Sequence, residues 1–411
     1  MKRTSLIAFA LLGMVVGRAQ DSENRAPAPP PENLTFLTDE YIYIPKFTFT
    51  FGARQLSGAK ASFRGSGKIY KMSEELADSL GALTDTGIGR KYHDGRVNLD
   101  TRTVTVDDGF GGTITTAIPP DGSTNNWNFN DASQLLANGN IAMHSYSAEV
   151  IDTGSRVRDP NGAIGFEVAA SRDMGKLGKY IDWNLGGGLS LNDIKSSMSS
   201  GMTARVEKIT DTYSNNGGTP GTAPYSSPSS TTQNVYDING NQVYNDDGTA
   251  KTQTNDTSTL ISQNPISRDT TTTTDNTSVT NSWKLKGAYF TLRAGPTFLL
   301  PLTQRFKATI GVGPAVLYSG TTYTVRQDYQ PETGDVITST VSSSESHLLP
   351  GYYADANLEF WLTETAGFYA GAVFQSNGNF TQTVKTDTAN YSTKVDLSRL
   401  SGMRAGLSVR F

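Results

Sequence analysis

The chain has 411 residues, 36% hydrophobic and 18% charged, with a formal net charge of −4 and no cysteine. A mildly acidic chain without basic clusters is not built to grip nucleic acid. The missing cysteine excludes disulfides, CxxC motifs and a lipid-modified thiol. After residue 20 no window approaches the roughly 18 consecutive apolar residues of a spanning helix, so helices cannot carry the mature chain across a bilayer.

Residues 1–20, MKRTSLIAFALLGMVVGRAQ, set Lys2 and Arg3 before an apolar run from Leu6 to Val16 and the small residues Gly17 and Ala19. This pattern predicts a secretory signal peptide, cut near Ala19 or Gln20. The run falls short of the roughly 20 residues that a membrane anchor needs. Loss of Lys2, Arg3 and Arg18 leaves the mature chain more acidic. Residues 21–40 are a leader in which RAPAPPPEN reads as a stiff, extended spacer. In residues 41–56, Phe47, Phe49, Phe51 and Ala53 alternate with Lys46, Thr48, Thr50 and Arg54. A period of two predicts a strand with one apolar and one polar face.

Residues 57–160 form an insertion. Within it SEELADSL predicts a short helix capped by Ser73, with Glu74 and Glu75 in the first turn and Leu76, Leu80 and Leu83 on one side. RKYHDGRVNLD predicts a hairpin on Asp94-Gly95. If the first strand rises from the periplasm, strand parity places this region outside the cell.

Residues 161–411 return to alternation. Ile164, Phe166 and Val168 face away from Glu167; Ile181, Trp183, Leu185, Leu189 and Leu191 away from Asp182 and Asn184; Phe290, Leu292 and Phe298 away from Tyr289, Thr291 and Arg293. Ile310, Val312 and Val316 oppose Lys307 and Thr309. Ala356, Leu358 and Phe360 oppose Asp355, Glu359 and Trp361, and Phe368 and Phe374 oppose Tyr369 and Gln375. In the terminal SGMRAGLSVRF, Met403, Ala405, Leu407, Val409 and Phe411 alternate with Arg404, Gly406, Ser408 and Arg410. Short connections (174–179, 301–305, 363–366) alternate with long polar ones (211–282, 327–346, 386–390), and Trp183, Phe298, Phe306, Phe360, Phe368 and Phe411 cluster beside the short ones. Outer-membrane barrels have short periplasmic turns, long external loops and aromatic girdles. Alternation alone suits a soluble sandwich equally well; turn parity, aromatic placement and the signal peptide together favour the barrel.

In the long loop, VYDINGNQVY predicts a hairpin turning at Asn239-Gly240. Asp237, Asn239 and Asn241 have the spacing of the first calcium-loop ligands, but Gln242 stands where glycine is required and no glutamate follows at the twelfth position. A solvated hairpin, without metal, is the reading.

With Leu407, Val409 and Phe411 at alternate positions, the terminal strand resembles the insertion signal of bacterial outer-membrane β-barrels. The strand count resembles the small OmpA/OmpX-type barrels. The resemblance implies an all-β, up-and-down antiparallel transmembrane barrel of 8 strands in the outer membrane of a Gram-negative-type bacterium. It also implies outer-membrane lipid and the barrel-assembly machinery as partners. Ten strands are the alternative, with AKASFRG and IAMHSYSAEVID as the extra pair, but His144 or Glu149 would then meet hydrocarbon. Two departures from that class are the length of 57–160 and the in-strand Pro296 and Pro314, which bulges next to Gly295 and Gly313 would absorb.

An 8-stranded lumen is just wide enough to be filled by side chains. The inward set Lys46, Glu167, Asp182, Arg293, Lys307, Asp355, Glu359 and Arg404 is expected to form paired networks there, because buried charges must be paired. His93, His144 and His347 lack metal-ligand spacing from one another. Ser346 and His347 alternate faces, and with Glu345 they cannot make a triad within one strand. No phosphate loop or HExxH occurs. The sequence reads as a non-enzymatic envelope or surface-contact protein without cofactor. A narrow porin-like channel is the alternative, and a rim-located lipid-modifying hydrolase comes third.

Overall fold

The computed structural model describes residues 46–411 except 69–80, 86, 108–112, 160–161, 217, 229, 237–240, 246 and 257. The alternating segments are strands β1 (Phe47–Ser57), β2 (Ala163–Leu177), β3 (Ile181–Tyr213), β4 (Ser267–Pro301), β5 (Phe306–Tyr329), β6 (Ile337–Trp361), β7 (Ala366–Ser376) and β8 (Leu400–Arg410). Each pairs antiparallel with the next, and β8 pairs back onto β1. The ring closes at its short-turn end through two backbone hydrogen bonds between Phe47 and Phe411, of 3.1 and 2.9 Å. Closure satisfies the edges that an open sheet would leave unpaired.

Polarity inverts along the strands. On β5, Ile310, Val312, Val316 and Tyr318 are exposed while Thr309 and Gly311 point inward and are buried. Above Gly320 the outward residues become Thr322 and Arg326, and the inward ones are the buried Tyr323, Val325 and Tyr329. On β4 the outward Leu292 and Phe290 give way to Lys286 and Lys284, opposite buried Leu285 and Trp283. Hydrocarbon bathes the lower outer face and water the upper one, so the apolar side of the same strand changes from out to in. The apolar band of β5, Phe306 to Tyr318, spans roughly 28 Å at about 3.3 Å per residue and a tilt near 45°, close to a bilayer core.

Above the band β1, β7 and β8 leave the wall. Gly378 and Gly58 take positive φ (81° and 95°), and the strands continue as Lys60–Gly67, Asn379–Lys385 and Ala389–Asp396. A Cβ on Gly58 would lie 2.1 Å from the Arg399 carbonyl oxygen, so both the conformation and the space require glycine. These three segments pair with one another and pack on the inner faces of β4 and β5. Phe63 stacks at 6.0 Å on both Trp283 and Tyr323, and the Thr321 hydroxyl donates to Gln382 at 2.8 Å. The result is a two-layer apolar core that includes Tyr391, Val384, Phe380 and Leu317.

The two segments of the ten-strand alternative are strands, but they lie outside the lipid-facing ring. Lys60–Gly67 joins Ala389–Asp396, Ile141–Val150 joins the outer end of β3 (Ala204–Tyr213), and one bridge, Lys68 to Glu149, links them. The helix predicted from Ser73 falls largely on 69–80, outside the described residues. Among the described residues no helix is long and apolar enough to cross a membrane, and Ala132–Gln134 is a single 3-10 turn. The predicted hairpin forms between Arg90–Lys91 and Gly95–Val97, but its turn is centred one residue early, on His93 and Asp94: the Tyr92 N–H donates to the Gly95 carbonyl. The stem of the second predicted hairpin pairs Tyr236 with Gln242, and its turn lies outside the described residues. Bulges at the prolines do not form. The β4–β5 register runs Arg293 to Ala315 and resumes unshifted at Thr297 to Gly311, with Pro296 and Pro314 in the gap. Gly295 and Gly313 let the backbones approach there: a Cβ on either would lie 2.2 Å from a carbonyl oxygen of the facing strand.

Candidate functional site: the barrel lumen and its outer rim

The inward face of the lipid-band strands converges on one charged cluster. Glu167 on β2 lies 2.7 Å from Arg404 on β8, 3.3 Å from Arg293 on β4 and 3.9 Å from Arg54 on β1. Asp355 on β6 lies 3.0 Å from Arg293 and 3.2 Å from Arg404. Arg54 faces Arg404 directly across the β1–β8 ladder, so two cations would repel there without the shared carboxylate. Neutral partners take up further donors and acceptors. Arg54 donates to Ser190 at 2.7 Å and to Gln375 at 2.8 Å, and the Tyr369 hydroxyl donates to Glu167 at 2.8 Å. Arg293 sits 5.2 Å from the Tyr353 ring centroid and Arg404 5.0 Å from that of Tyr369. All five charged residues are buried.

The predicted lumen residues divide among three places. Glu167, Arg293, Asp355 and Arg404 meet in this cluster. Lys307 and Glu359 stand opposite each other across the β5–β6 ladder nearer the short turns, where Arg410 approaches Glu359 at 4.0 Å and covers the Trp361 ring, with Asp182 adding its charge nearby. Lys46 is exposed below β1 and joins neither. Arg54 was missed as a network member, although its alternation with Phe51 and Ala53 puts it on the inward face. The aromatic residues beside the short turns are cross-strand neighbours, Trp183 with Phe298 and Phe306 with Phe360 (4.8 Å), and Phe411 meets Phe49 at 5.6 Å.

A wall that is apolar outside and charged inside fits only a hydrocarbon surrounding. The molecule is a membrane-spanning β-barrel. No family model matches the chain, and no curated protein matches it. Among solved structures it is similar to the outer-membrane protease OmpT of Escherichia coli (11% identity, 92% of this chain and 99% of that one, TM-score 0.26). It is also similar to the attachment invasion locus protein Ail of Yersinia pestis (8%, 88% and 98%, TM-score 0.21) and to a Pseudomonas aeruginosa FadL homologue (9%, 89% and 90%, TM-score 0.19). Likeness at this level does not extend to what those proteins do.

At the outer rim of the barrel, side chains distant in sequence come together. The Asp94 carboxylate accepts from the His144 backbone N–H at 2.8 Å, contacts His144 Nδ1 at 2.5 Å and accepts from the Thr333 hydroxyl at 2.9 Å. Tyr146 OH lies 2.7 Å from Thr333 Oγ1, and His93 Nδ1 accepts from the Tyr146 N–H at 2.9 Å. Thr333 bonds the carboxylate and not the imidazole, so these groups do not form a nucleophile–base–acid relay. On the other face of β3, the buried Asp211 accepts both ends of Arg268 at 2.6 Å and the Tyr92 hydroxyl at 2.5 Å. Burial, together with Tyr213 and Asp211, drives the Tyr92 phenol far above its ordinary pKa. Sequence alone could not pair these groups, because they lie on different excursions of the chain. His347 lies 3.3 Å from Glu345 and stacks on Phe380 at 4.3 Å, while Ser346 faces outward.

Proposed function

We propose that the protein is an eight-stranded, non-enzymatic outer-membrane barrel that does not conduct, and that its role is envelope support or surface contact through its outer tier. The observation that carries this reading is occlusion at two levels. The Glu167–Arg404–Arg293–Asp355–Arg54 cluster crosses the lumen within the lipid band, and the Phe63–Trp283–Tyr323 core fills it above. Paired charges in a narrow lumen and a packed, largely apolar layer both oppose a water file. What remains available is the outer surface, to which the described residues of 81–135 and 214–262 and the rim contribute. Leu407 and Val409, outward on β8, and Phe411 just past its end are the proposed signal for the assembly machinery. Planar-bilayer recording on the full chain tests the reading: no unit conductance above background is expected, and reproducible single-channel steps would overturn it.

A further inference from the structure

The wall of the barrel has a break just above the lipid band. The β2–β3 ladder ends at Gly165 to Asn192, and Ile141–Val150 takes up the same edge of β3 only at Ala204. Between these points Asp193–Met202 have no ladder partner on that edge among the described residues. A cavity of about 400 Å³ opens there, lined by Leu56 of β1 and by residues of β3 and β4.

Its lining changes with depth. Leu56, Ile194 and Leu285 form buried apolar walls. Two polar groups lie among them. Tyr289, 1% exposed, and Ser196, 5% exposed, line the cavity with hydroxyl oxygens that have no hydrogen-bond partner. A buried hydroxyl left unpaired is costly, so this depth calls for a polar acceptor, which the ester carbonyl of a lipid supplies ahead of its apolar chain. The mouth is cationic. Lys284 and Lys286 are exposed on β4, Lys195 lies beside Lys286 across the ladder, and Arg158 lines the opposite side. Asp193 neutralises Lys195 at 2.7 Å, which leaves Lys284, Lys286 and Arg158 as the cations at the mouth without an ion pair among the described residues. Lys286 and Lys284 stand four and six residues above Phe290 on the same outward face of β4, at the height where the headgroups of the outer leaflet lie.

We infer that this cleft binds a phosphate-bearing lipid of the outer leaflet, its headgroup held by Lys284, Lys286 and Arg158 and one chain end entering the apolar depth. Continuity with the lipid band lets the ligand arrive from the side, and the cleft's apolar depth has no use for a free anion. Native mass spectrometry of the full chain tests this, after reconstitution in vesicles of zwitterionic lipid with and without 10% of a phosphate-monoester lipid (about 10% being a probe choice, in excess of one lipid per barrel). The phosphate-bearing lipid is expected to stay bound through detergent exchange. Retention should fall about tenfold in K284Q/K286Q/R158Q, whose exposed changes leave the fold intact. I194W, which fills the cleft without altering charge, should lose it too; its folding is checked by gel mobility. Equal retention of zwitterionic and phosphate-bearing lipid, undiminished retention in the charge variant, or displacement by millimolar inorganic phosphate in place of the lipid would overturn the inference.

Discussion

Glu167 shows how much one side chain can hold. It is the carboxylate shared by three arginines from three different strands, and its neutralisation leaves Arg54 and Arg404 facing each other across a ladder with only Asp355 nearby. Breaking a buried ion pair from one side costs about 3 kcal/mol or more. Glu167→Gln is therefore expected to lower the temperature at which the folded, fast-migrating gel band is lost, by on the order of 10 °C. An unchanged transition would show that the cluster fills space without adding stability. At the rim, burial lowers the pKa of His93 below its ordinary 6.5, with Asp94 opposing the shift. A depressed folded-state value means that stability is fully present above about 6.5 and is lost as pH falls through the folded value. Amide exchange in 90–97, corrected for intrinsic rates, should speed up between pH 7.5 and 5. His93→Gln should abolish that difference.

At the scale of elements, what distinguishes this barrel is that three of its strands turn inward while four run straight on. Gly58 and Gly378 provide the bends, and Lys60–Gly67 is the central contact of the inner layer through Phe63. Gly58→Val places a β-branched residue at φ 95° against the Arg399 carbonyl. Near-ultraviolet circular dichroism from Trp283 should weaken and protease cleavage between 58 and 67 should rise, while the lipid-band ring still yields a protected fragment. Loss of the ring as well would mean that the two tiers fold as one unit. The prolines teach a related lesson. Pro296 and Pro314 were expected to demand bulges, but they share one gap in the β4–β5 ladder and the register passes them unshifted, because Gly295 and Gly313 permit close backbone approach.

The whole molecule joins two solvents along one set of strands. Below, a charged interior faces an apolar exterior; above, an apolar core faces water. Because the lipid-band ring closes on itself and side chains pack inside both tiers, unfolding in cold detergent should be slow. The purified protein is expected to run as a compact band before heating and at its full mass after boiling. Identical mobility in both lanes would contradict a closed barrel.

Much of this was legible in the chain itself. Period-two alternation, the short and long connections and the aromatic residues beside the short turns specify transmembrane strands, because each follows from side-chain direction and the local solvent and needs no distant partner. The same alternation set Glu167, Arg293, Asp355 and Arg404 on the inward face. It could not say that Lys46 stays outside, or that Arg54 completes the cluster, since which inward residues share a level depends on strand stagger around the ring. Nor could it find the bend of β1, β7 and β8, the Asp94–His144 contact or the break beside β3. Those features arise from pairings between segments tens to hundreds of residues apart, and only the closed tertiary structure decides which of them form.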